Sequence, residues 1–168
     1  MGKYRLVTRS DMDGLVSAVL LKELDLIDEI KFVHPKDMQD GIIETTENDI
    51  VTNLPFVERA YLIFDHHLSE TVRNKEIREN HIINPTAPSA ARVVYEYYGG
   101  KETFKNLPDE MMVAVDKADA AKFNIEDEVF SLRDNKVVRS TIVGIKVSVA
   151  FVSHYLQYKI STIYFLSN

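Results

Sequence analysis

A chain of 168 residues with 45% apolar and 27% charged side chains can bury one good-sized core and has an ordinary globular balance. It contains no cysteine, which excludes disulfides, thiolate metal sites and a cysteine nucleophile. A formal charge of −6 argues against broad electrostatic capture of duplex nucleic acid, and no apolar stretch reaches the roughly 18 residues of a membrane span. With no signal-peptide pattern before Asp11, the expected location is cytoplasmic. The charge is unevenly placed. All 26 acidic residues lie at or before Asp134, so residues 135–168 carry +4 and the rest of the chain −10.

Residues 3–8 read as a first strand, followed by Asp11-Met12-Asp13-Gly14 and a helix over 13–26 with Leu15, Val16, Val19, Leu20 and Leu24 on about one face. The two carboxylates suit cation binding, or equally the capping of a helix and its dipole. Strands follow at 29–33, ending at His34-Pro35, and at 49–52 and 61–64. Asp65-His66-His67 then closes an apolar run, where open α/β sheets place their ligands. Acidic strand ends with a histidine pair point to divalent cations held by oxygen and imidazole, and a surface turn with titrating histidines is the plainer alternative.

A short strand at 81–83 precedes Asn84-Pro85, and Pro88 opens a helix through Tyr98 that Gly99-Gly100 closes. The start of that helix can offer backbone N–H groups, Ser89 and Arg92 to a phosphate, or be an ordinary capped terminus. Pro108 opens another helix, to about residue 121, with Asp116 and Asp119 on one face as ligands or as solvated surface. Tyr95, Tyr97 and Tyr98 read as core packing, and His34, His81 and His154 as structural. Alternating strands and helices predict an α/β fold, a doubly wound and mostly parallel sheet with helices on both faces, over residues 1–128. Residues 129–168, rich in valine, isoleucine and aromatics, read as an atypical C-terminal segment, either completing the domain or a truncated or divergent ending.

Together, Asp11-Met12-Asp13-Gly14, Asn53-Leu54-Pro55, Asp65-His66-His67, Asn84-Pro85-Thr86-Ala87-Pro88-Ser89 and Asp119-Ala120-Ala121-Lys122-Phe123 resemble the DHH phosphoesterase superfamily over about residues 4–125. That superfamily includes RecJ-type exonucleases, oligoribonucleases, exopolyphosphatases and manganese-dependent pyrophosphatases. The resemblance implies a hydrolase with two Mn²⁺ sites, or Mg²⁺ in their place, at the carboxyl edge of the sheet. Asp11, Asp13, Asn53, His66 and Asp119 would be the metal set. His67 would face the phosphoryl oxygens, with Asp65 orienting the histidines, and metal-activated water would attack a small phosphodiester or phosphoanhydride. Arg9 stands where many relatives have a histidine ligand and Asn53 where they have a bridging aspartate. The resemblance thus implies one weakened metal site, with Arg9, Ser89 and Arg92 toward substrate phosphate. Nothing after Phe123 resembles the relatives' second, substrate-gripping lobe. The implied partner is a small phosphorylated substrate or short oligonucleotide, with neither duplex DNA nor a membrane, and an oligomer is compatible with the features. The alternative is a catalytically impaired nucleotide- or phosphate-binding module, or an inactive truncated fragment.

Overall fold

The computed structural model describes residues 2–120. The elements in chain order are β1 (Tyr4–Arg9), α1 (Met12–Glu23), β2 (Ile27–Val33), α2 (Pro35–Gln39), β3 (Asp49–Thr52), β4 (Leu62–Asp65), α3 (Leu68–Arg73), β5 (His81–Ile83), α4 (Ala90–Tyr97), a 3-10 turn (Gly100–Glu102) and α5 (Asp109–Asp119). The sheet order is β2-β1-β3-β4-β5 and every pairing is parallel. This is a doubly wound α/β sheet. The chain leaves β1 outward to β2 and returns to lay β3 on the other side of β1. The crevice between the carboxyl ends of β1 and β3 is therefore the topological switch point, where such sheets bind ligands.

Strand alternation divides the core. Leu6 and Thr8 face α1, which packs in turn on α4 and α5. Val7, Val51 and Ile63 point the other way and join Val33, Met38 of α2, Leu54 and Ala60 in a second apolar cluster. On the α1 side the hydroxyls of Thr8 and Thr52, both fully buried, lie 2.7 Å apart and satisfy each other across β1 and β3.

The long elements sit within a few residues of their sequence expectations. The helix expected to open at Pro88 begins at Ala90 because Ser89 is its N-cap, its Oγ accepting from the Arg92 N–H at 3.0 Å. The short helices α2 and α3 escape the periodicity argument because five or six residues show too little of a 3.6-residue repeat. Tyr97 and Tyr98 pack their rings against Phe64, and Tyr95 stacks on Phe104, but Tyr97 is 48% exposed, so it covers the edge of the core instead of lying within it. His34 caps α2 through Nδ1. The expectations for residues 121–168, including His154 and the atypical segment, lie outside the described residues. Among the described residues no helix is long and apolar enough to cross a membrane.

Gly14 fixes how closely α1 can approach β1. A Cβ there would lie 2.1 Å from the Arg9 carbonyl oxygen and 2.6 Å from Thr8 Oγ1, a backbone overlap that no rotamer change relieves. Gly14→Ala is therefore expected to cost about 3 kcal/mol, the upper end of overpacking penalties. Urea melts of the two proteins measure this; a loss below about 1 kcal/mol would show that the loop has slack.

Candidate functional site

Three loops meet at the carboxyl edge of the sheet, after β1, after β3 and after β4, together with the N-terminus of α4 and the last turn of α5. Asp11 is the N-cap of α1: its Oδ1 accepts from the Gly14 N–H at 2.9 Å. Two residues on, Asp13 is 1% exposed and lies under the start of α4. It accepts N–H bonds from Ala90 at 2.8 Å and Ala91 at 2.6 Å. A helix N-terminus welcomes an anion in this way. Burial, and then the charge of Asp119, nonetheless push the Asp13 carboxyl up to about 7, against the lowering effect of the two N–H bonds.

Asp65 ends β4, fully buried. Its Oδ1 accepts from the backbone N–H of His66 at 2.8 Å and lies 2.7 Å from His67 Nδ1. This bond raises the His67 pKa although burial opposes it. Asp65 thus fixes the His66 backbone and the His67 ring, while the two histidine rings stay in contact with centroids 4.5 Å apart.

His66 faces Asp13 and Asp119. Its Nδ1 lies 3.3 Å from the Ala87 carbonyl oxygen, which can only accept, so the ring proton belongs on Nδ1. Nε2 is left with its lone pair toward two carboxylates, 3.0 Å from Asp119 Oδ2 and 3.9 Å from Asp13 Oδ2. Despite the short approach it makes no hydrogen bond of acceptable angle, and it is buried. Acceptors facing acceptors need a positive partner between them, either a second ring proton on Nε2 or a metal cation. Burial alone would lower the His66 pKa, but Asp119 and then Asp13 raise it overall.

Asp13, His66 and Asp119 offer ligand atoms within 4.8 Å of one another, and together with the orphaned Nε2 they fit a divalent cation. Two carboxylates and one imidazole, the latter braced by a carbonyl on its far nitrogen, suit a divalent cation that takes mixed oxygen and nitrogen ligands better than a thiophilic one.

Asp11 is differently placed. Arg9 Nε lies 3.0 Å from its Oδ2, and the Asn53 amide donates to Oδ1 at 3.3 Å and Oδ2 at 3.2 Å. Asn53, 2% exposed, sits in the left-handed region at φ 55°, which asparagine tolerates better than most residues. Ser89 and Arg92 do not face open space. The Ser89 hydroxyl donates to Asp116 Oδ1 at 2.7 Å, and the Arg92 guanidinium binds Asp116 Oδ2 through Nε at 2.9 Å and through Nη2. An anion at that point would have to displace Asp116. The same network clamps α4 to α5 and so places Ala90 and Ala91 over Asp13. Asp49 lies at the opposite, amino end of β3, ion-paired with Arg5 at 2.7 Å.

Beside the cluster lies a cavity of about 140 Å³ whose walls include Arg9, Asn53, Asp65, His67 and Arg73. It is smaller than a drug-sized ligand site and admits only part of a nucleotide. Arg73, on the short helix α3, carries no signal in the sequence. Nor do the Ala87 carbonyl and the Ala90 and Ala91 amides, because backbone groups leave no trace in residue type.

No family model matches the chain. No curated protein matches it either. Among solved structures it is similar to a protein described as a pGpG-specific phosphodiesterase, PggH, from Vibrio cholerae. The two share 62% sequence identity over 75% of this chain, with a TM-score of 0.67. The chain spans 40% of the length of that protein.

Both Asp13 and His66 bind protons more tightly in the folded state than unfolded. Their contribution to metal-free stability is therefore full at low pH and is lost as pH rises, between about 4 and 7 for Asp13 and above about 6.5 for His66. The melting temperature of chelator-treated protein is expected to fall by at least about 5 °C between pH 5.5 and 8. Mn²⁺ should restore it at pH 8, and Asp119→Asn should flatten the pH dependence. A metal-free melting temperature that rises with pH over this interval would contradict the electrostatics of the cluster.

Proposed function

We propose that this chain is a DHH-type phosphodiesterase, dependent on Mn²⁺ or Mg²⁺, that cleaves dinucleotides of the pGpG kind. The observation that carries the reading is the orphaned His66 Nε2, aimed at Asp13 and Asp119 beside the switch point. Its supporting context is a chain 62% identical to a pGpG-specific phosphodiesterase over the matched region. Because the chain spans 40% of that protein, the substrate is carried over as part of the proposal.

In this reading Asp13, His66 and Asp119 hold the cation. When bound, a divalent cation supplies a water of lowered pKa and neutralises developing negative charge. The protein's own groups do the rest. Asp65 holds the proton on His67 Nδ1 and raises the basicity of the ring, leaving Nε2 for the substrate. As an imidazolium it can donate to a phosphoryl oxygen or protonate the departing ribose oxygen. Arg9, on a wall of the same cavity, attracts the phosphate, whereas Arg73 on another wall is already ion-paired with the buried Glu70. The cavity volume favours a scissile phosphate with its neighbours projecting outward, and a net charge of −6 disfavours long polyanions.

The test is hydrolysis of pGpG to GMP by the pure protein with Mn²⁺, followed by chromatography. Wild type should cleave pGpG, chelator should stop it, and His66→Ala should lose at least about 10³-fold, as loss of a group essential to transition-state charge stabilisation does. Pyrophosphate and polyphosphate, run in parallel, should react more slowly. Binding of pGpG that survives chelation, with no cleavage under any condition, would replace this reading with that of a nucleotide-binding module.

A further inference from the structure

The resemblance to dinuclear enzymes implies a second cation at Asp11, but the residues around Asp11 do not fit one. Its two oxygens already face four contacts from N–H donors: Gly14 N, the Asn53 amide to each oxygen, and the Arg9 guanidinium. An asparagine amide facing a carboxylate must present its NH₂ end, so Arg9 turns a positive charge, and Asn53 the positive end of a neutral dipole, toward the point where a cation would sit. Arg9 is a fixed cation that does not deprotonate, and it cannot make way for a metal as a histidine would.

The charge balance points the same way. Arg9 neutralises Asp11, and one divalent cation would neutralise Asp13 and Asp119 with His66 uncharged. A second divalent ion would leave two positive charges uncompensated in a partly buried site, where such an imbalance is costly. We propose that this is a one-cation centre in which the Arg9 guanidinium, seated by Asp11 and Asn53, supplies the second positive charge facing the substrate phosphate. Arg9 is suited to that duty: its side chain is 48% exposed, anchored at Nε, and lines the cavity that His67 shares. Its outer nitrogens lie beyond that anchor, where a planar fork can grip two phosphoryl oxygens. This inference rests on the function proposed above and specifies how its charge is arranged.

The experiment is Mn²⁺ binding by the full chain, read by calorimetry and by electron paramagnetic resonance of the loaded protein. One equivalent per chain, with the six-line spectrum of an isolated Mn²⁺, is the expected result. The pair Arg9→Ala with Asn53→Asp removes the fixed cation and adds a carboxylate in a backbone conformation aspartate also tolerates. It should raise the count to two and give an exchange-coupled spectrum. Two coupled ions in the wild type would overturn the one-cation centre while leaving the phosphodiesterase reading intact. No bound ion at all would remove both. Arg9→Lys, which keeps charge but loses the fork, should leave one ion bound and raise the KM for pGpG at least about tenfold, more than it lowers kcat. An unchanged KM would deny Arg9 its role toward phosphate.

Discussion

The site depends on one buried contact, the carboxylate of Asp13 against the first amides of α4. It ties the loop after β1 to a helix far along the chain, and it fixes the only fully buried acid in the cation cluster. Everything nearby is arranged to make that contact tolerable. The helix N-terminus contributes two donors, the Ser89–Asp116–Arg92 network holds the helix in place, and Gly14 allows α1 to start close against β1. Even so, the carboxyl titrates near 7 when no cation is bound, because two N–H bonds and a helix dipole do not repay its desolvation beside Asp119. The remaining imbalance is what a divalent cation relieves. Folding stability and metal binding therefore draw on the same few groups, and each is linked to pH through them.

Asp65 plays the complementary part. The two adjacent histidines would be redundant if they shared a direction. By accepting from the His66 backbone and binding the His67 ring, Asp65 gives them opposite surroundings: carboxylates for His66, and the cavity with Arg9 and Arg73 for His67. The division runs along the sheet edge, with the cation ligands toward α4 and α5 and the basic groups toward α3. A phosphodiester bound at the switch point would meet both at once.

How much of this the sequence discloses depends on the kind of interaction. Asp11, Asp13, Asp65, His66 and His67 stand out because polar residues directly after apolar runs mark the carboxyl ends of strands, and the parallel sheet brings those ends to one edge. Asp119 joins them only through helix packing, and helical spacing alone favours reading it as a solvated surface residue. Ser89 and Arg92 show the limit from the other side. Their types suit an anion, yet Asp116, from another helix, takes both, and no local pattern announces a partner at that separation. The donors to Asp13 and the acceptor for His66 Nδ1 are backbone atoms. Arg73 rides on a helix too short to show periodicity. In general the strand-end side chains were legible, while the groups that orient and neutralise them were not.

Electrostatics at longer range then shape what such a site can accept. A chain of net charge −6 disfavours a polyanion, and because charges more than a Debye length of about 8 Å apart are largely screened, the groups nearest the substrate count most. Among the described residues, Arg9, Arg73 and His67 line one cavity, each beside a carboxylate: Asp11, Glu70 and Asp65 respectively. Under the proposed function, a preference for short substrates needs no steric stop: the net charge of −6 disfavours long polyanions, and that preference should weaken as salt screens the charge.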